Sequence, residues 1–159
     1  MNALVTHKGV MVAIAIVSSV GLDGCGGLSN DLWGSITQTH PMDFDHVDIL
    51  GQDNVVVIDY VRNGNTNEHP CKVSIFVKDL PLGDDTIIAG QAFLDSVNLE
   101  RITVDDPGFP AHFGGSVDFV RYHFALSGKM EGEFTFLFDD GTTLFGSFNG
   151  TMENSTASR

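Results

Sequence analysis

GEFTFLFDDGTTLFGSFNGT, residues 132–151, alternates large apolar and polar side chains on either side of an Asp-Gly turn. Period two marks a strand with one buried face, and Asp-Gly between two such runs marks a hairpin. A two-residue Asp140-Gly141 turn would pair Phe136 with Phe145 and Glu133 with Phe148. A three-residue Asp139-Asp140-Gly141 loop would pair Phe136 with Leu144, Phe134 with Gly146 and Gly132 with Phe148. The second register gathers Phe134, Phe136, Phe138, Leu144 and Phe148 on one face. It leaves Glu131, Glu133, Thr135, Ser147 and Asn149 on the other. A one-residue slip exchanges the faces, so this segregation selects the three-residue loop. Gly141 then takes the left-handed position that closes it.

Ser116 to Leu126 extends this meander upstream. The same alternation places Val120, Tyr122 and Phe124 on the core face and turns Arg121 and His123 outward, toward Glu133. Further back, Asn54 to Val61 (NVVVIDYV) is nearly continuous and β-branched, like a central strand. Lys72 to Lys78 aligns Val73, Ile75 and Val77; Thr86 to Leu94 and Val97 to Val104 are further strands, with Leu32 to Thr37 and Phe44 to Leu50 weaker. Turn signals separate them, and only Asp95 to Arg101 suggests a helical turn. Strands spaced roughly every 12 residues predict an all-β domain, an antiparallel β-sandwich or small β-barrel of about 8–9 strands. This single domain is expected over 32–152, with a disordered tail at 153–159. Large inward residues favour two facing layers packed without room for a ligand. Glycines 90, 132 and 146 are the features that would suit a barrel's inner face, or equally bulges and bends.

The N-terminus reads differently. Val10 to Val20 is an uncharged run of eleven residues after a polar start carrying Lys8. At about 1.5 Å per residue it spans about 17 Å, short of a bilayer core of about 30 Å. A short positive region, a short apolar region and small residues make a secretory signal, expected over 1–24. Leu22-Asp23-Gly24-Cys25 then resembles the lipobox of bacterial lipoproteins, with Leu22, Gly24 and Cys25 at the matching positions and Asp23 departing from the pattern. The resemblance implies a diacylglyceryl group on the Cys25 thiol, cleavage just before it and an acylated new N-terminus. Two or three acyl chains anchor firmly where one would be marginal. Residues 25–31 become the lipidated cysteine and a flexible tether. Gly26, lacking the aspartate that retains enteric lipoproteins at the inner membrane, implies a cell-envelope address at the outer membrane. The order GSITQTHPMDFDHVDI, VVVIDYVR and GEFTFLFDDGTTLFGSFNGT is loosely similar to uncharacterised delta-proteobacterial lipoproteins, a group that implies no activity for any residue here. If Cys25 is acylated, Cys71 is the remaining thiol; if not, the two could form one disulfide.

Composition bounds the partners. Eight lysines and arginines against 21 acids, a net charge of −13, argue against nucleic acid and against electrostatic docking on an anionic membrane. Asp43, Asp45, His46 and Asp48, with His40 nearby, form the densest group of ligand types. A strand splits Asp43 and Asp45 from His46 and Asp48, so no metal is expected. His69 and Cys71 would need to converge, with an orienting group, for cysteine chemistry. Asp84-Asp85 and Asp105-Asp106 sit beside turn residues and read as turn chemistry. Trp33 and Tyr122 either mark a carbohydrate or ligand surface or, for Trp33, plug one end of the core. No catalytic set and no cofactor are expected, and the ligand-binding residues stay unassigned. The expectation is a non-catalytic, membrane-anchored envelope lipoprotein whose β module meets an envelope protein or another macromolecule. The alternatives are a lipocalin-like carrier of small apolar ligands and a secreted hydrolase.

Overall fold

The computed structural model describes residues 27–64, 66–104 and 108–154. The expected signal, Cys25 and the Asp105-Asp106 pair lie outside the described residues. The strands are β1 (Asp31–Trp33), β2 (His46–Gln52), β3 (Val55–Arg62), β4 (Glu68–Phe76), β5 (Thr86–Ala89), β6 (Val97–Ile102), β7 (His112–Tyr122), β8 (Lys129–Phe138), β9 (Thr143–Thr151) and β10 (Glu153–Asn154), with one helix, α1 (Gly90–Ser96). They form two sheets, ordered β1-β9-β8-β7-β5 and β10-β2-β3-β4-β6. All pairings are antiparallel except β10 on β2. The sheets do not close on each other: the fold is a sandwich, not a barrel.

The hairpin of β8 and β9 adopts the register that segregation selects. Phe136 pairs with Leu144, Phe134 with Gly146 and Gly132 with Phe148. The loop closes through Gly141 N–H to the Phe138 carbonyl at 2.9 Å, with Gly141 at φ +83°. Phe134, Phe136, Phe138, Leu144 and Phe148 are all buried. Val56, Ile58 and Tyr60 of β3 and Cys71, Val73 and Ile75 of β4 face them from the other sheet. The Tyr60 hydroxyl crosses the interior to donate to the Ser147 carbonyl at 2.8 Å, tying the sheets together.

Rings fill the space beside the glycines. A Cβ on Gly146 would lie 2.2 Å from the Phe134 ring, one on Gly132 2.7 Å from Phe148, and one on Gly115 2.6 Å from Phe93. Gly132 and Gly146 therefore make room for rings across the pair, a solid core rather than a hollow one.

Several expected boundaries move. Thr86 to Leu94 is not one strand: β5 ends at Ala89, and Gly90 at φ +60° turns the chain into α1. The helix seats the fully buried Phe93 against Phe136, ring centroids 5.1 Å apart. The helical turn expected at Asp95 to Arg101 thus lies earlier, and most of that stretch is β6. Leu32 to Thr37 splits at Gly34, φ +132°, into β1 and a 3-10 turn over Ser35–Gln38 that buries Ile36. In β7 a bulge between Phe119 and Arg121 reverses the alternation. Val117 and Phe119 are the inward pair, Val120 is exposed, Phe124 is at the surface, and Arg121 faces Glu131 rather than Glu133. At the C-terminus, Glu153 and Asn154 pair with Leu50 and Gly51 instead of starting a loose tail.

Candidate functional site

On the outer face of the β1-β9-β8-β7-β5 sheet, registers align Trp33, Phe145, Thr135 and Ser116 in one row across four strands. The neighbouring row holds Asp31, Ser147, Glu133 and Asp118. Trp33 stacks on Phe145 with centroids 5.9 Å and planes 17° apart, yet stays 43% exposed. It does not plug the core: β1 alternates, so Leu32 is the inward residue. Beside the indole an open groove of about 540 Å³ is lined by Asp31, Thr37, Pro41, Asp43 and Phe44. An indole face beside carboxylates and hydroxyls can stack on an apolar face of a partner and accept its hydrogen bonds or cationic groups. Asp118 faces Glu133 across the pair. Burial first, and then the charge of Asp85, holds its carboxyl above the usual range. Tyr122, the other aromatic singled out, is half-buried on Phe119, centroids 5.0 Å apart, and belongs to the core margin.

A strap of chain lies on this same face. Leu28 N–H donates to Glu131 Oε1 at 2.6 Å, and Asn149 Nδ2 donates to the Leu28 carbonyl at 2.6 Å. Ser147 Oγ donates to the Ser29 carbonyl at 2.7 Å, and Asn149 N–H to Asn30 Oδ1 at 2.6 Å. Glu131 and Ser147, expected on a solvated face, are buried beneath it, 5% and 4% exposed. The described part of the expected tether, Gly27 to Asn30, is therefore fastened to β8 and β9. Arg121 Nε, 3.6 Å from Glu131 Oε2, balances the covered carboxylate.

The opposite sheet carries the expected ligand types, and its geometry keeps them apart. Asp48, Asp59, Lys72 and Glu100 form one outward row. His69 Nδ1 lies 2.8 Å from Asp59 Oδ1, and His46 Nε2 3.6 Å from Asp48 Oδ2. Asp45 Oδ2 instead accepts from Asn63 N–H at 2.7 Å, Asp43 lines the groove by Trp33, and His40 is buried on Phe109, centroids 5.9 Å apart. Among the described residues no three His, Cys, Asp or Glu side chains lie close enough to hold a metal ion. A bulge in β4 sets Pro70 and Cys71 against Arg101 of β6, and His69 and Pro70 against Val61 of β3. Cys71 keeps the inward phase of Val73 and Ile75, and the bulge carries His69 outward to Asp59. Burial, and then Asp59, pushes the Cys71 thiol far above the usual range, the opposite of an activated nucleophile.

Of the other acids singled out, Asp85 and Asp140 do turn work, while Asp84 ties its loop to β7. Asp84 Oδ1 accepts from Tyr122 N–H at 2.8 Å, and Asp85 sits at φ +57°. Asp140 Oδ1 accepts from Thr142 Oγ1 at 2.6 Å and from its N–H at 2.9 Å. Phe145, the strap and the Asp59–His69 pair had no signal of their own in the sequence, and Pro70, which lies in β4 at its bulge, falls before the strand expected from Lys72. Comparison with family models, with curated proteins and with solved structures returned no match for this chain.

Proposed function

We propose that this chain is a non-catalytic envelope lipoprotein, anchored through Cys25, whose β-sandwich binds another envelope macromolecule at the Trp33–Phe145 surface. The observation that carries this reading is the placement of aromatic rings. The interior is filled by phenylalanines stacked over glycines, while the chain's single tryptophan lies outside beside an open polar groove. A solid module works from its surface, and an exposed indole is the side chain most often found at the energetic centre of an interface. A lipocalin-like carrier would need an enclosed apolar space. The two concavities that stand out among the described residues are both open to solvent, which favours the surface reading. Cys71 and His69 on opposite faces argue against cysteine hydrolysis. The anchor rests on the apolar run at 10–20 and the lipobox-like Leu22 to Cys25.

The test is a photoactivatable residue at Trp33, in cells that process the full chain, against the same residue at Glu100 on the outer face of the other sheet. A discrete adduct from position 33, absent at position 100, is expected. No adduct at 33, or the same adducts from both, refutes the Trp33 surface.

A further inference from the structure

We infer that the loop joining β7 to β8, His123 to Gly128, is a membrane-contacting tip that inserts Leu126 and Phe124 into the apolar margin of the bilayer. The inference rests on Cys25 carrying lipid.

Three observations converge on it. First, the strap fixes where the anchor must emerge. Running back from Trp33, the chain follows β9 from Phe145 toward Asn149, so Gly27 lies beside Asn149 and Glu131. One residue, Gly26, separates Gly27 from Cys25, so their Cα atoms stay within roughly 7 Å whatever the conformation between them. Lys129, the first residue of β8, is two residues from Glu131, or roughly 7 Å along the strand. The anchor therefore reaches no further than about the base of the loop, and a bilayer holding its acyl chains must meet what projects beyond. Second, the loop presents apolar side chains. Leu126 is 72% exposed and Phe124 37%, and an open groove of about 390 Å³ runs between this loop and Gly51, Met152 and Glu153. Third, the loop is preformed. Ser127 N–H donates to the Met152 carbonyl at 2.8 Å, Met152 N–H to the Gly128 carbonyl at 2.8 Å, and Gly128 N–H to the Ala125 carbonyl at 2.7 Å. Little ordering entropy remains to oppose insertion.

The alternative pose, with the sheet's outer face flat on the membrane, is excluded by desolvation. That face carries Asp31, Glu133 and Asp118, whose carboxylates would lose water with no partner supplied. Charge does not drive the docking. Arg121, His123 and Lys129 near the tip are offset by Asp53, Asp84 and Glu153. Phosphatidylcholine alone should suffice, with no dependence on salt. Standing on its tip, the domain keeps Trp33 on a side wall, open to a partner.

The experiment uses the full, processed chain purified from membranes and placed in phosphatidylcholine vesicles containing acyl-brominated phosphatidylcholine. Trp33→Phe removes the native indole. Into this background go Leu126→Trp, or Asp140→Trp at the opposite end of β8, about 30 Å away along ten residues. Both sites are exposed, and because Asp140→Trp also removes the carboxylate that accepts from Thr142, circular dichroism checks that each variant keeps the fold. Mass spectrometry of the N-terminal peptide reports the lipid on Cys25. Lipid on Cys25 with loss of most of the emission from the Leu126→Trp protein and none from the Asp140→Trp protein is expected. Lipid present with position 126 unquenched, or with equal quenching at both, overturns the inference and leaves the anchor standing. A bare Cys25 overturns the anchor, and the inference with it.

Discussion

Gly146→Ala tests the core's central device, a phenylalanine ring covering a cross-strand glycine. In an ordinary strand interior alanine is favoured over glycine by about 0.5–1 kcal/mol, through the lower entropy of the unfolded chain. Here the new Cβ would meet three atoms of the Phe134 ring at 2.2, 2.7 and 2.7 Å. The ring cannot slide aside. It is 2% exposed, edge-on to Tyr60 at 6.0 Å and to Phe136 at 5.7 Å. Overpacking a closed core costs about 1–3 kcal/mol. Net of the entropic gain, Gly146→Ala should destabilise by about 1–2 kcal/mol. With m near 2 kcal/mol/M, that lowers the urea midpoint by roughly 0.5–1 M. Urea denaturation of the chain from residue 27 onward measures it. Gly114→Ala is the control: its Cβ would meet Leu137 Cδ1 at an ordinary 3.9 Å, so the midpoint should hold or rise. Phe134→Leu combined with Gly146→Ala should cost less than the sum of the two, because the smaller side chain vacates the Cβ position. A Gly146→Ala protein as stable as the parent, or strict additivity in the double variant, would refute the ring-over-glycine account.

Tyr60→Phe removes the hydroxyl that reaches the Ser147 carbonyl across the sandwich. It should cost about 1–2 kcal/mol in urea denaturation, since the carbonyl stays buried without that donor, and an unchanged midpoint would show the bond to be replaceable. Cys71, fully buried and with its thiol pushed up by desolvation, should resist alkylation in the native protein and react completely once denatured. Stoichiometric native labelling, or a mass two protons short through a Cys25–Cys71 bridge, contradicts this. Asp118→Asn should stabilise the protein at neutral pH by about 0.5 kcal/mol, by removing a charge held partly out of water, near Asp85 and opposite Glu133. The sign follows from a folded-state pKa raised by burial and by Asp85. Such a group contributes stability below its unfolded pKa and loses it as pH rises through the folded value. The advantage of Asp118→Asn should therefore vanish in acid, where both side chains are neutral, and an advantage that persists there would point to packing instead.

Local alternation was enough where a strand keeps its period. The hairpin register, Gly141 and the five buried residues of β8 and β9 all follow from separating phenylalanines from acids, because a slip would expose every ring at once. Alternation misleads wherever one residue is inserted. A bulge in β7 carries Val120 outward, and another in β4 carries His69 outward although it lies two residues before the inward Cys71. Thr86 to Leu94 reads as continuous β because Ile87, Ile88, Phe93 and Leu94 are all apolar. The break at Gly90 depends on the space that Gly115 leaves for the Phe93 ring, a contact 22 residues downstream in sequence. No window along the chain contains that information.

The candidate surface was half visible for the same reason. Trp33 could be singled out as the only tryptophan, yet its orientation depends on β1 pairing with β9, strands more than a hundred residues apart. That pairing gives Trp33 its stacking partner Phe145 and lays Gly27 to Asn30 over Glu131. A glutamate in a sheet of phenylalanines reads as a solvated outer position when the sequence is taken strand by strand. Its burial under the strap shows that Gly27 to Asn30 is part of the domain. A slack tether would let the sandwich tumble, and any face could meet the bilayer. Under the proposed anchoring, a fastened one would couple lipid position to domain orientation, giving the proposed Leu126 tip and Trp33 wall fixed and different neighbours. Cutting the strap's bonds through Asn149→Ala, which removes the side-chain donor to the Leu28 carbonyl, should loosen that coupling before it unfolds the sandwich.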